Sequence, residues 1–125
     1  MELENLSTQI PESEPKLRVY PNYAVLNASA VRLMGVKHGD YIQFASPKME
    51  RINGRPLLYV RKTDRIVGSI RARQRGATMI LSSRKVARLL RDALDGAGCY
   101  RVCPEDTVAD ANGTYYNVFF RNYGN

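Results

Sequence analysis

The chain of 125 residues has no tryptophan, a single histidine and only two cysteines. Metal sites and Ser/His or Cys/His catalysis draw on several such groups held together, so we expect no enzyme, metal or cofactor. Cys99 and Cys103 lie in a predicted strand. There they would be about 13 Å apart, which is too far for a disulfide and predicts reduced thiols.

Long apolar runs are also missing. No segment approaches the roughly 18 residues that cross a bilayer, and the start MELENLSTQIPESEPK lacks the features of a signal peptide. We therefore expect a cytoplasmic protein that makes no membrane contact. Its apolar share of 44% and charged share of 25% are ordinary for a globular protein.

Charge is the most unusual part of the composition. Nineteen Lys plus Arg against twelve Asp plus Glu give +7, and fourteen of the basic residues are arginine. Residues 1–15 carry −4, whereas residues 16–63 carry +7 and residues 64–98 carry +5. A basic balance favours a polyanionic partner. Residues 1–15 have no periodic apolar pattern and are predicted to form an acidic flexible arm, with a single domain over 16–125.

An internal repeat runs through that domain. Val25–Met34 resembles Ile80–Leu90, and each segment is followed by a glycine and an alternating strand, at Gly39 and at Gly98. The number of residues that separates equivalent positions of the two copies is the repeat offset. It is smaller before the helix, from Leu26 to Leu81, than after the helix, from Gly39 to Gly98. This difference predicts about one additional helical turn in the second copy.

Each copy is predicted to be β-β-α-β-β, at about 17–62 and 66–121. In the first copy, strands are expected at 17–20, 23–26, 41–45 and 57–62, with a helix that Asn27 caps and that ends near Met34. In the second copy, strands are expected at 66–71, 77–81, 99–103 and 114–121, with a helix at 83–94 capped by Ser82. The Asn-Gly pairs at 53–54 and 112–113 predict hairpin turns. Because each copy alone would bury little apolar surface, we expect one shared core.

The segment LMGVKHGDYIQF, residues 33–44, joins a helix end to Gly-Asp and an alternating strand. It resembles the GD box of cradle-loop barrels, and the order of elements resembles the AbrB/MazE-type swapped-hairpin family of DNA-binding proteins. The resemblance implies structural turn roles for Gly39, Asp40 and Gly98, with the Asp40 carboxylate accepting backbone N–H bonds across the barrel. The second copy departs from the box because Cys99 replaces the aspartate.

Two short chains of that family exchange hairpins to form one barrel. The resemblance therefore implies a β-rich α+β pseudo-dimer of two β-β-α-β-β halves, acting as a monomer or as a homodimer. Basic residues around the first hairpin and the helix start face DNA in such proteins. Residues 17–24, the opening hairpin of the first copy, carry few basic groups, so DNA contact is expected to be one-sided or absent.

Three arginines at alternate positions, Arg71, Arg73 and Arg75, precede Gly76. In a strand they would share one face, whereas in a loop Gly76 would let the backbone turn and the guanidinium groups fan out. Both geometries suit bidentate contacts to phosphates or guanine edges. These arginines are therefore the first candidates for nucleic-acid binding.

The second predicted helix adds further candidates. Arg84, Arg88 and Arg91 lie opposite its apolar positions, with Lys85 beside them. Arg84, Lys85 and Arg88 are predicted to extend the nucleic-acid-binding surface. The apolar positions, which we expect to be buried, are Val86, Leu89, Leu90, Ala93 and Leu94. His38 is interpreted as an exposed turn residue, because there is no second histidine to form a site with it.

Two functional hypotheses follow. The first is a DNA-binding transcriptional regulator, either sequence-tolerant or operator-specific, that binds duplex DNA with steep salt dependence. The second is a protein-interaction module of antitoxin or phage/mobile-element accessory type. It would bind an acidic protein partner without affinity for DNA.

Overall fold

The computed structural model describes residues 14–46, 51–52, 55–56, 58–111 and 113–119. The first copy contains β1 (Lys16–Val19), β2 (Ala24–Leu26), α1 (Ala28–Met34), β3 (Tyr41–Ala45), β4 (Arg51–Ile52), β5 (Arg55–Pro56) and β6 (Leu58–Thr63). The second contains β7 (Ile70–Arg71), β8 (Arg73–Arg75), β9 (Thr78–Leu81), α2 (Arg84–Ala93), β10 (Gly98–Asp110) and β11 (Gly113–Val118). Most of the predicted acidic arm, and the predicted turn residues 53–54 and 112, lie outside the described residues.

Nine of these strands form one antiparallel sheet, in the order β7-β3-β6-β11-β10-β1-β2-β9-β8. The two end strands, β7 and β8, follow one another in the chain and are separated only by Ala72, which is fully buried. The sheet therefore curves into a nearly closed barrel. At its seam, Gly39 N donates to Ala72 O at 2.8 Å and Ala72 N donates to Asp40 O at 2.7 Å. The predicted β-rich α+β class is confirmed.

The core is one hydrophobic cluster to which both copies contribute. Strand side chains alternate between the two faces of the sheet, so every second residue points into the barrel. The largest fully buried side chains include Leu17, Leu26, Ile42, Leu81, Leu90, Tyr100 and Val118. The helices close the cluster with Ala30 and Met34 of α1 and with Leu90 of α2. No helix in the described part of the chain is long and apolar enough to cross a membrane.

The opening strand of the second copy begins later than the predicted 66–71. Residues 66–69 instead form a turn, in which Ser69 N donates to Ile66 O at 3.3 Å. Gly68 within it has φ 78°, a left-handed conformation that is foreign to a strand. Ile66 and Val67 are 67% and 88% exposed as a result. The strand resumes at Ile70 and, beyond Ala72, continues to Arg75.

Helix α2 and strand β10 also differ from the prediction. The helix cap is Ser83 rather than Ser82, because the backbone of Ser83 is extended and its hydroxyl accepts from Val86 N at 3.2 Å. Leu89, predicted to be buried, is 58% exposed. Strand β10 continues beyond the predicted end at Cys103, because an irregularity between Cys103 and Thr107 lets pairing with β11 resume.

Asn27 links the start of the barrel to helix α1. Its side-chain oxygen accepts from Ala30 N and from Lys16 N, both at 2.9 Å, and its Nδ2 donates to Glu14 O at 2.8 Å. Among the described residues, the Ser83 side chain makes the single cap bond to α2. We expect Asn27→Ala to lower the free energy of unfolding by about 2 kcal/mol and Ser83→Ala by about 1 kcal/mol. Urea unfolding of both variants tests this, and equal losses would contradict the linking role of Asn27.

Candidate nucleic-acid interface

Arg71, Arg73 and Arg75 lie on strands β7 and β8 and are all exposed. They alternate with Ile70, which packs against the core, and with Ala72, which is fully buried. Because side chains alternate along a strand, the three arginines point outward from the barrel. Of the two predicted geometries, strand and loop, the three arginines adopt the strand. Gly76, with φ 62°, lies in the turn between β8 and β9.

A fourth arginine lies on the same outer surface. Strand pairing places Arg18 opposite Val25, Val25 opposite Ile80, and Ile80 opposite Arg73. These four residues form one row across β1, β2, β9 and β8, and their neighbours Leu17, Val19, Leu26 and Leu81 point into the core. With strands about 4.8 Å apart, the Cα atoms of Arg18 and Arg73 are separated by about 14 Å. We call the outward side chains of these strands and of β7 the arginine face.

Among the described residues, no carboxylate forms an ion pair with Arg18, Arg71, Arg73 or Arg75 of the arginine face. Arg101 on β10 is different, because its guanidinium contacts Glu105 at 2.7 Å and Glu14 at 3.3 Å. The hydrogen bond with Glu105 raises the pKa of Arg101 and lowers the pKa of Glu105. The charge of Arg101 is thus already paired, in contrast to the charges of the arginine face in the described part of the chain.

Aromatic and polar groups complete this surface. The rings of Tyr20 and Tyr23 stack beside the β1–β2 turn, with centroids 4.6 Å apart and an interplanar angle of 17°. A shallow hollow of about 220 Å³ lies over β1, β2 and β9. It is lined by Lys16, Arg18, Tyr20, Val25, Asn27 and Thr78.

The predicted turn residues lie at the barrel seam, next to Arg71. Gly39 has φ 91°, and a β-carbon added to it would lie 3.5 Å from the Arg71 guanidinium. The Asp40 carboxylate accepts from Lys37 N at 2.7 Å, within the turn, so the bonds that cross the seam come from the backbone. His38 is exposed, and its Nδ1 accepts from Gln74 N at 3.0 Å. The turn thereby holds the arginine-bearing strand in place.

Gly98, the remaining predicted turn residue, begins β10 opposite Val19 with φ 154°. The sharp turn falls just before it, at Gly96, where φ is 79° and the carbonyl oxygen accepts from the Tyr100 hydroxyl at 2.5 Å. This bond connects the end of the α2 segment to the largest fully buried side chain of the core.

The basic residues of α2 lie on two separate strips. Arg84, Arg88 and Arg91 are spaced so that they share one side of the helix, and Arg91 donates to Pro21 O in the β1–β2 turn at 3.1 Å. Arg84 and Arg88, both exposed, therefore lie on the same side of α2 as Arg91, the side that is directed toward the β1–β2 turn of the arginine face. Lys85 shares a strip with Leu89 instead, one turn further along.

An apolar groove of about 280 Å³ separates α2 from strands β3 and β7. Its lining includes Ile42, Phe44, Ile70, Val86, Leu89 and Leu90. Exposed Leu89 forms part of its wall, and exposed Ile66 and Val67 precede Gly68, another lining residue. The basic residues Arg65 and Lys85, both exposed, lie near these apolar side chains in sequence. The apolar pattern of the sequence does not predict this groove, because it places Leu89 in the core and residues 66–67 in a strand.

Arg18 is a candidate site residue that the sequence pattern alone does not indicate, because the first hairpin carries few basic groups. The repeat contained the necessary signal. The repeat offset that maps Leu81 onto Leu26 also maps Arg73 onto Arg18.

No model of a protein family, no curated protein and no solved structure matches this chain.

Proposed function

We propose that this protein is a DNA-binding transcriptional regulator of the cytoplasm that contacts duplex DNA with its arginine face. The observation that carries the proposal is the set of outward arginines, Arg18, Arg71, Arg73 and Arg75, which have no carboxylate partners among the described residues. The phosphate backbone supplies the complementary charge, and guanidinium groups bind phosphates and guanine edges through paired hydrogen bonds.

The dimensions of the face support a duplex as the ligand. Arg18 and Arg73 are separated by about 14 Å, and Arg71 and Arg75 by about 13 Å along the strand. The major groove of DNA is about 12 Å wide. Arginines at these separations reach both walls of one groove, and Arg84 and Arg88 extend the basic surface along α2.

The proposal includes a pseudo-dimeric, swapped-hairpin barrel. If each strand is replaced by the equivalent strand of the other copy, the strand pair β1·β10 becomes β3·β7, β1·β2 becomes β8·β9, and β3·β6 becomes β10·β11. All six of these strand pairs occur in the sheet. The remaining pairs, β2·β9 and β6·β11, each join equivalent strands of the two copies. This pairing supports an approximate two-fold axis that passes between Val25 and Ile80. Such an axis brings the opening hairpins of both copies onto the arginine face.

A salt titration tests the proposal. We expect labelled duplex DNA to bind at 50 mM salt, and four phosphate contacts give a log–log salt slope of about −3.6. Affinity should then fall about 100-fold between 50 and 200 mM salt. Fluorescence anisotropy with duplex and single-stranded probes measures both quantities. Absence of duplex binding at low salt, or binding that salt does not weaken, would overturn the proposal.

The apolar groove supports a second candidate function, a protein-interaction module. Its apolar lining, with Arg65 and Lys85 nearby, suits a partner segment that presents apolar and acidic side chains. Because apolar burial is little weakened by salt, such binding should persist at 200 mM salt. An acidic amphipathic peptide should shift the NMR signals of Ile70 in the parent but not in Leu89→Ser. Identical shifts in both proteins would contradict this candidate.

A further inference from the structure

The two halves of the arginine face are equivalent in backbone but different in chemistry. The repeat offset relates Arg18 to Arg73 and Val25 to Ile80. Both pairs lie in the single row that crosses the face, with the arginines at its ends and the apolar pair at its centre. The centre of the face is therefore nearly symmetric.

The ends of the face are not symmetric. The same offset relates Tyr20 to Arg75 and Tyr23 to Thr78. Where the first copy presents a stacked tyrosine pair, the second copy presents a guanidinium and a hydroxyl. Thr78 Oγ1 donates to Arg75 O at 2.8 Å, so this end is a tight polar turn instead of an aromatic one.

Exposure enlarges the difference. Arg71 corresponds to Lys16 by strand position, since each precedes its copy's central arginine by two residues. Lys16 is buried, at 5% exposure, whereas Arg71 is exposed. One half of the face thus offers three exposed arginines, and the other offers a single arginine with an aromatic pair.

Resting on the proposed function, we propose that the chain binds a duplex of non-palindromic sequence in one fixed orientation. The half with Arg71, Arg73 and Arg75 takes the side that carries guanines, because arginine pairs with the O6 and N7 atoms of guanine. The half with Tyr20 and Tyr23 takes the side that carries thymines, because an apolar ring contacts the thymine methyl group. A symmetric dimer of identical chains reads a palindrome, whereas these two copies have diverged at the contact positions.

The chain provides a matched pair of positions for measuring orientation. Asn22 lies in the β1–β2 turn and Ala77 in the β8–β9 turn, both are exposed, and the repeat offset relates one to the other. Each is changed to cysteine in a separate variant, Asn22→Cys or Ala77→Cys, and labelled with an iron chelate that cleaves nearby DNA. Both native cysteines are buried, and the parent treated with the same reagent serves as the control.

The DNA probe is the duplex that the parent enriches from a random pool at 50 mM salt. We expect each label to cleave one flank at least tenfold more than the other, and the two labels to favour opposite flanks. Equal cleavage of both flanks by each label would overturn the fixed orientation while leaving DNA binding intact. Failure of the parent to retain any duplex would instead overturn the proposed function, and retention without enrichment of any sequence would overturn only the fixed orientation.

A second variant tests the origin of the orientation. Tyr20→Arg breaks the tyrosine pair and places an arginine at the position equivalent to Arg75, so the flank preference of the Ala77→Cys label should fall at least threefold. Tyr20→Phe keeps the ring and should retain the preference. Circular dichroism verifies that both variants are folded. An unchanged preference in folded Tyr20→Arg would show that the tyrosine end does not set the orientation and would overturn this inference.

Discussion

Replacing Arg71, Arg73 and Arg75 together by glutamine should abolish most of the DNA affinity and leave the fold unchanged. Three lost phosphate contacts flatten the log–log salt slope by about 2.7, and affinity at 50 mM salt should fall about 100-fold or more. The fold should survive because all three side chains are exposed and, in the described part of the chain, donate no hydrogen bond. Anisotropy titrations and thermal melts of parent and variant measure the two effects.

A variant of equal charge separates position from net charge. Arg32, Lys37 and Arg65 are exposed and lie outside the arginine face. Their joint replacement by glutamine removes the same three charges, and we expect less than a tenfold loss of affinity because only the long-range field changes. Equal losses in the two triple variants would show that net charge, and not the arginine face, carries binding. Unaltered binding by the folded Arg71, Arg73 and Arg75 variant would remove these residues from the site.

Single replacements extend this comparison to the residue that strand pairing adds. Arg18 and Arg73 occupy the two ends of one row, on either side of Val25 and Ile80. If both contact phosphates, Arg18→Gln and Arg73→Gln should each reduce the salt slope by about 0.9. A full effect of Arg73→Gln with none from Arg18→Gln would restrict the interface to the second copy. That result would match the one-sided contact expected from the first hairpin's few basic groups.

The repeat made much of the fold predictable. Apolar periodicity and capping residues are local signals, so both helices and most strands fall close to their predicted positions. The opening strand of the second copy was misplaced because Ile66 and Val67 have the composition of a strand. Applying the repeat offset to the predicted strand 17–20 gives 72–75, close to the observed strands β7 and β8. The repeat predicts the position of this strand better than apolar content does, because the turn at Gly68 depends on backbone conformation.

The candidate site was predictable only in part. Alternation alone is sufficient to put Arg71, Arg73 and Arg75 on one face, since it follows from strand geometry. Placing Arg18 beside them requires the pairing of β2 with β9, two strands that lie far apart in the sequence. Exposure of Leu89 likewise depends on the groove between α2 and strands β3 and β7, which Leu89 lines. Both features are products of tertiary packing, which a periodic pattern does not encode.

Cutting the chain between Thr63 and Asp64 should prevent either half from folding alone. The cut falls at the end of β6, next to an exposed residue, so breaking the peptide bond there removes little structure by itself. Separating the halves, however, removes the partners of β1, β2, β3 and β6, which are β10, β9, β7 and β11. Each isolated half would expose both the edges of its strands and its share of the common core.

We therefore expect neither fragment, residues 1–63 or residues 64–125, to show a cooperative thermal transition in circular dichroism. An equimolar mixture should recover the strand signal and a cooperative melt, because the cross-pairs between copies can form between separate chains. Leu26→Ala in the first fragment should weaken this reassembly by about 2–5 kcal/mol, since Leu26 is fully buried and β2 pairs with β9 of the other fragment. Cooperative unfolding of either fragment alone would contradict the shared core and, with it, the pseudo-dimeric arrangement on which a two-sided arginine face depends.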